Sequence, residues 1–223
     1  VDAGSTSTRC RTFSDEDGEY SENYEINSDI VLVGDISTIK SNTPSVYSNL
    51  ELIVKDTTVN KEQKMFTEEH FVKCELANDK AGSDIMRASG ISKTKNKATY
   101  LNIITLIALK ELLNENKEVA DVVEATVACS LPPEDFKSLK TLDFFKSNLA
   151  GNYEVNFVRL GVTIKVNIDK ETIYLEKEPN AVLFSLASED ESLLDENCIV
   201  VDGGGKSDDL SIAVEGRILE EYS

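Results

Sequence analysis

The chain has 223 residues, of which 40% are hydrophobic and 29% are charged, and its formal net charge is −18. This length is enough for one large domain or two small ones with a sizeable core. Such acidity argues against direct binding to nucleic acid, whose phosphates require a basic face, and it favours basic partners. No stretch approaches the ~20 apolar residues of a membrane span, so the sequence predicts no membrane association.

The cysteines and the one histidine are scattered along the chain. There is no Cys-x-x-Cys pair, and a zinc site would need closer ligand pairs. We therefore expect reduced thiols in a cytosolic protein. His70 has no catalytic partner that spacing identifies, so a structural or exposed position is expected. The four cysteines are Cys10, Cys74, Cys129 and Cys198.

The hydrophobic pattern predicts strands first and then helices that alternate with strands, which is typical of an α/β layer with helices on a mixed sheet. Residues 14–24 form an acidic, solvated turn, and 77–100 are predicted to be a loop. The clearest helix is 101–118, with a broad apolar face. Residues 1–9 and 10–13 are predicted to make the first hairpin. The further predicted strands are 30–33, 50–55, 122–131, 153–159, 162–168, 172–177 and 198–202.

Two further helices follow from local signals. The prolines at 132–133 end a strand and predict a helix with Pro in its first turn and Glu134 and Asp135 at its positive end. A shorter helix is expected from Asn180 to about Ala187. The apolar stripe of the proline-initiated helix is Phe136, Leu139, Leu142, Phe145 and Leu149.

Two acidic-glycine turns stand far apart in the sequence and have the same pattern. In each, a strand reaches an Asp, Asp2 or Asp202, then small residues, and then a strand-like segment. This pattern predicts a hairpin whose tip exposes backbone N–H groups and hydroxyls to an anion. The Asp beside the tip can hold a hydrated divalent cation, or it can cap its own turn. Two such turns in one chain indicate a phosphate clamp.

The residues at the two tips fit this interpretation. The glycines let a phosphate approach the backbone, although they also satisfy tight-turn geometry. A Walker-A motif is excluded, because it needs a Gly five residues before Gly205, where Val200 stands. The candidate phosphate-binding residues are Gly4, Ser5, Thr6, Ser7 and Arg9 at the first turn, and Gly203, Gly204, Gly205 and Lys206 at the second.

A third element, Glu178-Pro179-Asn180-Ala181, lies between the turns. The three elements in this order resemble the phosphate-1, connect-1 and phosphate-2 motifs of the superfamily that holds actin, the heat-shock chaperone ATPases and sugar kinases. Within it, the Gly-Ser-Thr opening is most similar to the bacterial plasmid-segregating actin-like ATPases of the ParM/StbA group. Lys206 and Asp208 depart from the residues more usual in the phosphate-2 turn.

The resemblance implies an actin-like (ribonuclease H-like) fold, with a mixed sheet, flanking helices and a smaller inserted subdomain. Residues 1–35 and 100–202 would form the inner part of the first domain, and 36–99 its outer insertion. Residues 203–223 would begin a second domain. Because the adenine and ribose are held in this family mostly by a second half, we expect the chain to be a piece of a longer polypeptide that binds nucleotide poorly alone.

The resemblance also implies roles for the acidic residues. Glu178 would orient the water that attacks the γ-phosphate of ATP or GTP; alternatively, it only favours the dipole at a helix start. Asp2 and Asp202 would hold Mg²⁺ through water, and Asp202 would contribute to catalysis. Arg9 would neighbour the phosphates, or be a surface charge.

The function implied is that of a cytoplasmic ATPase that assembles into filaments with bound nucleotide and disassembles after hydrolysis. Its expected task is plasmid segregation through a basic DNA-binding adaptor. Two alternatives stay open: a chaperone-like or small-molecule kinase of the same superfamily, or a non-catalytic scaffold that keeps the fold.

Overall fold

The computed structural model describes most of the second half of the chain and shorter segments of the first half. The described residues are 2–3, 7–10, 13–14, 19–20, 24–27, 30–32, 50–58, 64–73, 85–86, 92–113, 122–187, 190–203, 208–215 and 217–219. The strands are β1 (Asp2–Ala3), β2 (Ser7–Cys10), β3 (Phe13–Ser14), β4 (Glu19–Tyr20), β5 (Tyr24–Asn27), β6 (Ile30–Leu32), β7 (Glu51–Asp56), β8 (Glu68–Val72), β9 (Ile85–Met86), β10 (Val123–Leu131), β11 (Gly151–Phe157), β12 (Val162–Lys177), β13 (Cys198–Gly203), β14 (Asp208–Val214) and β15 (Arg217–Ile218). The helices are α1 (Lys97–Leu112), α2 (Leu139–Leu149) and α3 (Glu178–Ala187), with 3-10 helices η1 (Lys93–Lys95), η2 (Pro133–Lys137) and η3 (Glu191–Leu194).

The largest described sheet is mixed and has the strand order β10-β12-β11-β7-β8-β6-β9. Among its described pairs, β10 with β12 is parallel, and the register of that pair shifts between Ala125 and Val127. The other described pairs in this sheet are antiparallel. The α/β class with a mixed sheet is therefore confirmed.

Helix α1 is buried nearly all round rather than on one face, and it packs against several strands. Even its polar residues Thr99, Asn102 and Thr105 are buried. The helix begins at Lys97 because the Asn96 side chain accepts a hydrogen bond of 2.9 Å from the backbone N–H of Ala98. The predicted loop 77–100 is wrong at residues 85–86, which form β9, and at its end, where η1 and the first turn of α1 lie. Residues 114–118 of the predicted helix lie outside the described residues.

Other element predictions need correction. The acidic stretch 14–24 contains the short strand β4 and the start of β5, and β8 was not predicted. Residues 162–168 and 172–177 form the single strand β12, which pairs with β10 beyond Ile168. The helix predicted after the prolines is a 3-10 turn followed by α2, with Ser138 as the N-cap. Leu139 is 83% exposed, so it does not belong to the apolar stripe.

A second, smaller core lies where α3 packs on β13 and β14. It is formed by Leu183, Val200 and Ala213, with Cys198 and Ile218 packed against it. The boundaries of the two predicted domains stay a prediction. The large sheet itself combines strands from the predicted outer part, such as β7 and β8, with β10 to β12 of the inner part.

Candidate active site

The candidate site is built on one edge of the large sheet, where two parallel strands end. Leu131, the last residue of β10, pairs with Lys177, the last residue of β12. Each strand continues directly into a helical segment, η2 after β10 and α3 after β12. In α/β sheets, ligands bind at such carboxyl ends of parallel strands.

Glu178 is the first residue of α3 and therefore lies at this edge. Its carboxylate oxygen Oε1 accepts a short hydrogen bond from Lys93 Nζ, and the two groups form an ion pair. Both side chains are largely enclosed, with exposed fractions of 11% for Glu178 and 17% for Lys93. The helix predicted from Asn180 begins two residues earlier, at Glu178, and the catalytic role of Glu178 stays a prediction.

Lys93 belongs to η1, and η1 is fastened to the same edge through Asp135 of η2. The side chains of Ser92 and Thr94 contact Asp135 Oδ1 at 3.0 and 3.4 Å. The buried hydroxyl of Tyr100 donates to the backbone carbonyl of Thr94. Burial raises the pKa of Tyr100, and the charge of Asp135 adds to this effect. The segment that carries Lys93 is thereby attached on both sides of the lysine.

Asn180 links α3 to the second predicted hairpin, a role that sequence reasoning missed. Its side-chain amide donates to Glu176 Oε1 at 2.9 Å, and its Oδ1 accepts a hydrogen bond of 2.8 Å from Ser211 Oγ. Both Asn180 and Ser211 are buried. The only sequence signal for this role is an amide at the third position of a helix whose other residues are mainly apolar.

The first predicted hairpin is present in the backbone, but its arms are residues 2–3 and 7–10 rather than 1–9 and 10–13. β1 and β2 are antiparallel, with Asp2 opposite Arg9 and Ala3 opposite Thr8, and Ser7 begins the returning strand. β1 also contacts β10. The tip residues Gly4, Ser5 and Thr6 lie outside the described residues, so their phosphate-binding role stays a prediction.

The second predicted hairpin is present as well. β13 and β14 are antiparallel, with Asp202 opposite Asp209 and Gly203 opposite Asp208. The tip residues Gly204, Gly205 and Lys206 lie outside the described residues. Asp2 and Asp202 hold equivalent positions, each two residues before the first tip residue of its hairpin.

The remaining reactive side chains show no second site in the described part of the chain. Cys129 and Cys198 are free thiols, and burial raises the pKa of Cys129 to about 11. No group of three or more His, Cys, Asp or Glu side chains that could hold a metal occurs among the described residues.

His70 is half-buried on β8, where its Nε2 lies 3.5 Å from Glu51 Oε1. Arg159 Nε lies 3.2 Å from Oε2 of the same carboxylate. None of the described helices is long and apolar enough to cross a membrane.

Comparison with known proteins identifies the fold. No family model and no curated protein matches the chain. Among solved structures, Bacillus thuringiensis ParM in its apo form superposes with a TM-score of 0.65 at 15% identity, over 99% of this chain and 57% of that protein. A 15-stranded ParM filament from Clostridium botulinum gives 0.64 at 18% identity, over 95% and 56%. The archaeal actin homologue Ta0583 gives 0.61 at 16% identity, over 95% and 55%.

The chain therefore has an actin-like fold, as predicted. Within that class, its fold is of the ParM type. The chain spans slightly more than half the length of these neighbours.

Proposed function

We propose that the protein is an actin-like nucleoside triphosphatase that assembles into filaments and acts in plasmid segregation. The observation that carries the proposal is Glu178, a largely enclosed carboxylate at the sheet edge where β12 passes into α3. The actin-like fold supports the proposal, because Glu178 belongs to the element that resembles the connect-1 motif, in which the carboxylate at this position orients the attacking water. Phosphoryl transfer needs little beyond such positioning and charge neutralisation.

The two hairpins would bind the phosphates of ATP or GTP. The equivalent positions of Asp2 and Asp202 beside the two tips fit a hydrated Mg²⁺ between them, because carboxylates are ligands that Mg²⁺ accepts directly or through water. Mg²⁺ would neutralise charge on the phosphates. The glycines at the tips would let backbone N–H groups reach the phosphate oxygens.

Self-assembly is supported by the filament formed by the Clostridium botulinum ParM. The net charge of −18 suits a basic DNA-binding adaptor rather than direct contact with DNA. A role in plasmid segregation would place the protein in the cytoplasm. The second candidate is a non-catalytic scaffold, favoured by the ion pair with Lys93, which would serve equally to fix the start of α3.

The substitution Glu178→Gln in the full-length gene product separates the two. A water-orienting carboxylate stabilises the transition state and contributes little to ground-state binding, so turnover should fall on the order of 10²-fold while nucleotide affinity is kept. Filaments should still form with ATP and should persist, because the hydrolysis that triggers disassembly is slowed. Phosphate release and light scattering measure the two effects.

Glu171→Gln is the matched control, since Glu171 is an exposed residue of β12 that precedes the candidate site by seven positions. It should hydrolyse and assemble like the wild type. Normal hydrolysis by Glu178→Gln would remove Glu178 from catalysis. A variant that neither binds nucleotide nor assembles would assign Glu178 a structural role, and a wild type without nucleotide-dependent scattering would favour the kinase or scaffold alternatives.

A further inference from the structure

We infer that Lys93 is the positioning residue for the Glu178 carboxylate. The inference rests on the proposed function, because it concerns how this carboxylate is held for catalysis. Lys93 is 85 residues away from Glu178 in sequence, yet its Nζ donates directly to Oε1 of that residue. No sequence motif places these two residues together.

The ion pair is suited to fixing the carboxylate rather than only balancing charge. An exposed pair of long side chains gains little, because holding both chains in one geometry costs rotamer entropy and water screens the charges. Here both side chains are mostly enclosed, so fewer rotamers are open to them and screening is weaker. A charge-assisted hydrogen bond to one oxygen then limits rotation of the carboxylate.

The backbone at Lys93 is held in place by its neighbours on either side. Ser92 Oγ and Thr94 Oγ1 lie 2.8 Å apart and both contact Asp135 Oδ1, and Tyr100 binds the Thr94 carbonyl. Asp135 lies on η2, which directly follows β10, the strand parallel to the one that ends at Glu178. Helix α2 contacts both η1 and η2. Lys93, the donor, and Glu178, the acceptor, are therefore each held at the same edge of the sheet by separate contacts.

Placement of this kind matters for a group that orients water. A displacement of about 1 Å in a catalytic group can cost about 10²-fold in rate, because the reacting atoms leave the near-attack geometry. Lys93 would supply the restraint on the carboxylate without touching the nucleotide. Its loss should consequently lower kcat and leave KM for the nucleotide unchanged.

The test uses the full-length gene product and the variants Lys93→Met, Lys93→Gln and Lys93→Arg. Met removes the ammonium at similar length, and kcat should fall about tenfold or more with KM unchanged. Gln keeps a donor without the charge; it should show the same loss, and it serves as the second variant if Met prevents folding. Arg keeps the cation and should restore most of kcat.

Lys95→Met is the matched control, because Lys95 is an exposed lysine on the same 3-10 helix. It should turn over like the wild type. A double variant with Glu178→Gln and Lys93→Met should be no slower than Glu178→Gln alone, because the lysine acts through the carboxylate.

The outcomes separate the two proposals. If Glu178→Gln is slow but the neutral Lys93 variants turn over at the wild-type rate or faster, the role of Lys93 is overturned and that of Glu178 stands. Fully additive losses in the double variant would have the same meaning. A rise in KM with unchanged kcat would do the same, since it would indicate nucleotide binding. Normal turnover in Glu178→Gln would instead refute the proposed catalytic role of Glu178, and the positioning role with it.

Discussion

Ser211 Oγ donates a hydrogen bond of 2.8 Å to Asn180 Oδ1, across 31 residues of sequence. This contact joins the first turn of α3 to β14, and the same Asn180 side chain donates to Glu176 at the end of β12. The candidate catalytic helix and the second hairpin are therefore connected by one buried amide. A shift of the hairpin would be transmitted to the start of α3 through this side chain.

Replacing Asn180 by Leu should destabilise the fold by about 1–3 kcal/mol, because the substitution leaves the buried Ser211 hydroxyl without its acceptor. Denaturant unfolding measures the change. Ser211→Ala alone should cost about 1 kcal/mol, and the double variant should cost less than the sum of the two. Strictly additive losses would mean that the two side chains do not interact in solution.

The sequence predicts this region well where a short-range signal is strong. The Asp-glycine turns predict both hairpins, and the signals around Pro179 predict α3 with its start misplaced by two residues, because each signal acts within a few residues. The pairing partner of Glu178 could not be predicted. Lys93 lies in a stretch whose composition predicts a loop, and only the tertiary fold brings it to the sheet edge.

The errors in the strands have a similar cause. β8 has the sequence Glu-Glu-His-Phe-Val, and its polar start hides the alternation that indicates a strand. The polar residues 169–171 interrupt the apolar pattern and lie where the pairing of β12 with β10 shifts register, but pairing resumes at Ile173 and the backbone stays a single strand. Whether such a segment becomes a strand depends on its pairing with a neighbouring strand, and the local sequence pattern carries no information about that pairing.

A glycine at the start of β11 provides a test of packing. A Cβ at Gly151 would lie 2.7 Å from Thr58 Oγ1 and 3.0 Å from the hydroxyl of Tyr153. That hydroxyl donates to the carbonyl of Leu149 at the end of α2 at 2.9 Å, and Thr58 Oγ1 accepts from a backbone N–H of β11. Gly151→Ala should therefore cost about 3 kcal/mol, from the clash, the disturbed hydrogen bonds and a backbone φ of +158° that alanine rarely adopts.

Gly161→Ala is the control for this substitution. Gly161 has a φ of +64°, and a Cβ added there would meet no atom of the described residues within 4 Å, so only the left-handed backbone opposes alanine. Its cost should be about 1 kcal/mol. Chemical denaturation compares the two variants, and equal losses would show that the packing around Gly151 relaxes freely.

The two free thiols among the described residues should differ in reactivity. Cys129 is 5% exposed and its pKa is raised to about 11 by burial, so at pH 8 it is protonated and shielded. Cys198 is only partly buried. Iodoacetamide should modify Cys198 in the native protein and Cys129 only after unfolding, as peptide mass mapping would show; early modification of Cys129 would contradict its buried position.

The raised pKa of Cys129 also predicts a loss of stability at alkaline pH. Because the folded-state pKa is higher than the ordinary value of 9.0, the unfolded thiol releases its proton first. The stabilising contribution is complete below about pH 9 and is lost as the pH rises from about 9 to 11. Unfolding curves across this range should fall less steeply for Cys129→Ala than for the wild type, and parallel curves would contradict the prediction.

The metal proposal is tested at the two hairpin aspartates. If Asp2 and Asp202 hold hydrated Mg²⁺ beside the phosphates, Asp202→Asn should weaken binding of Mg²⁺-nucleotide by about 10- to 100-fold, as expected for a ligand that acts through water. In EDTA, Asp202→Asn should bind nucleotide about as well as the wild type does, because no metal is present with either protein. Calorimetry on the full-length gene product measures both affinities.

Asp2→Asn should behave like Asp202→Asn, while Asp195→Asn, a change at an exposed turn residue, should bind like the wild type. Equal losses with and without Mg²⁺ would mean that Asp202 maintains the hairpin rather than the metal, and unchanged affinity would remove it from the site.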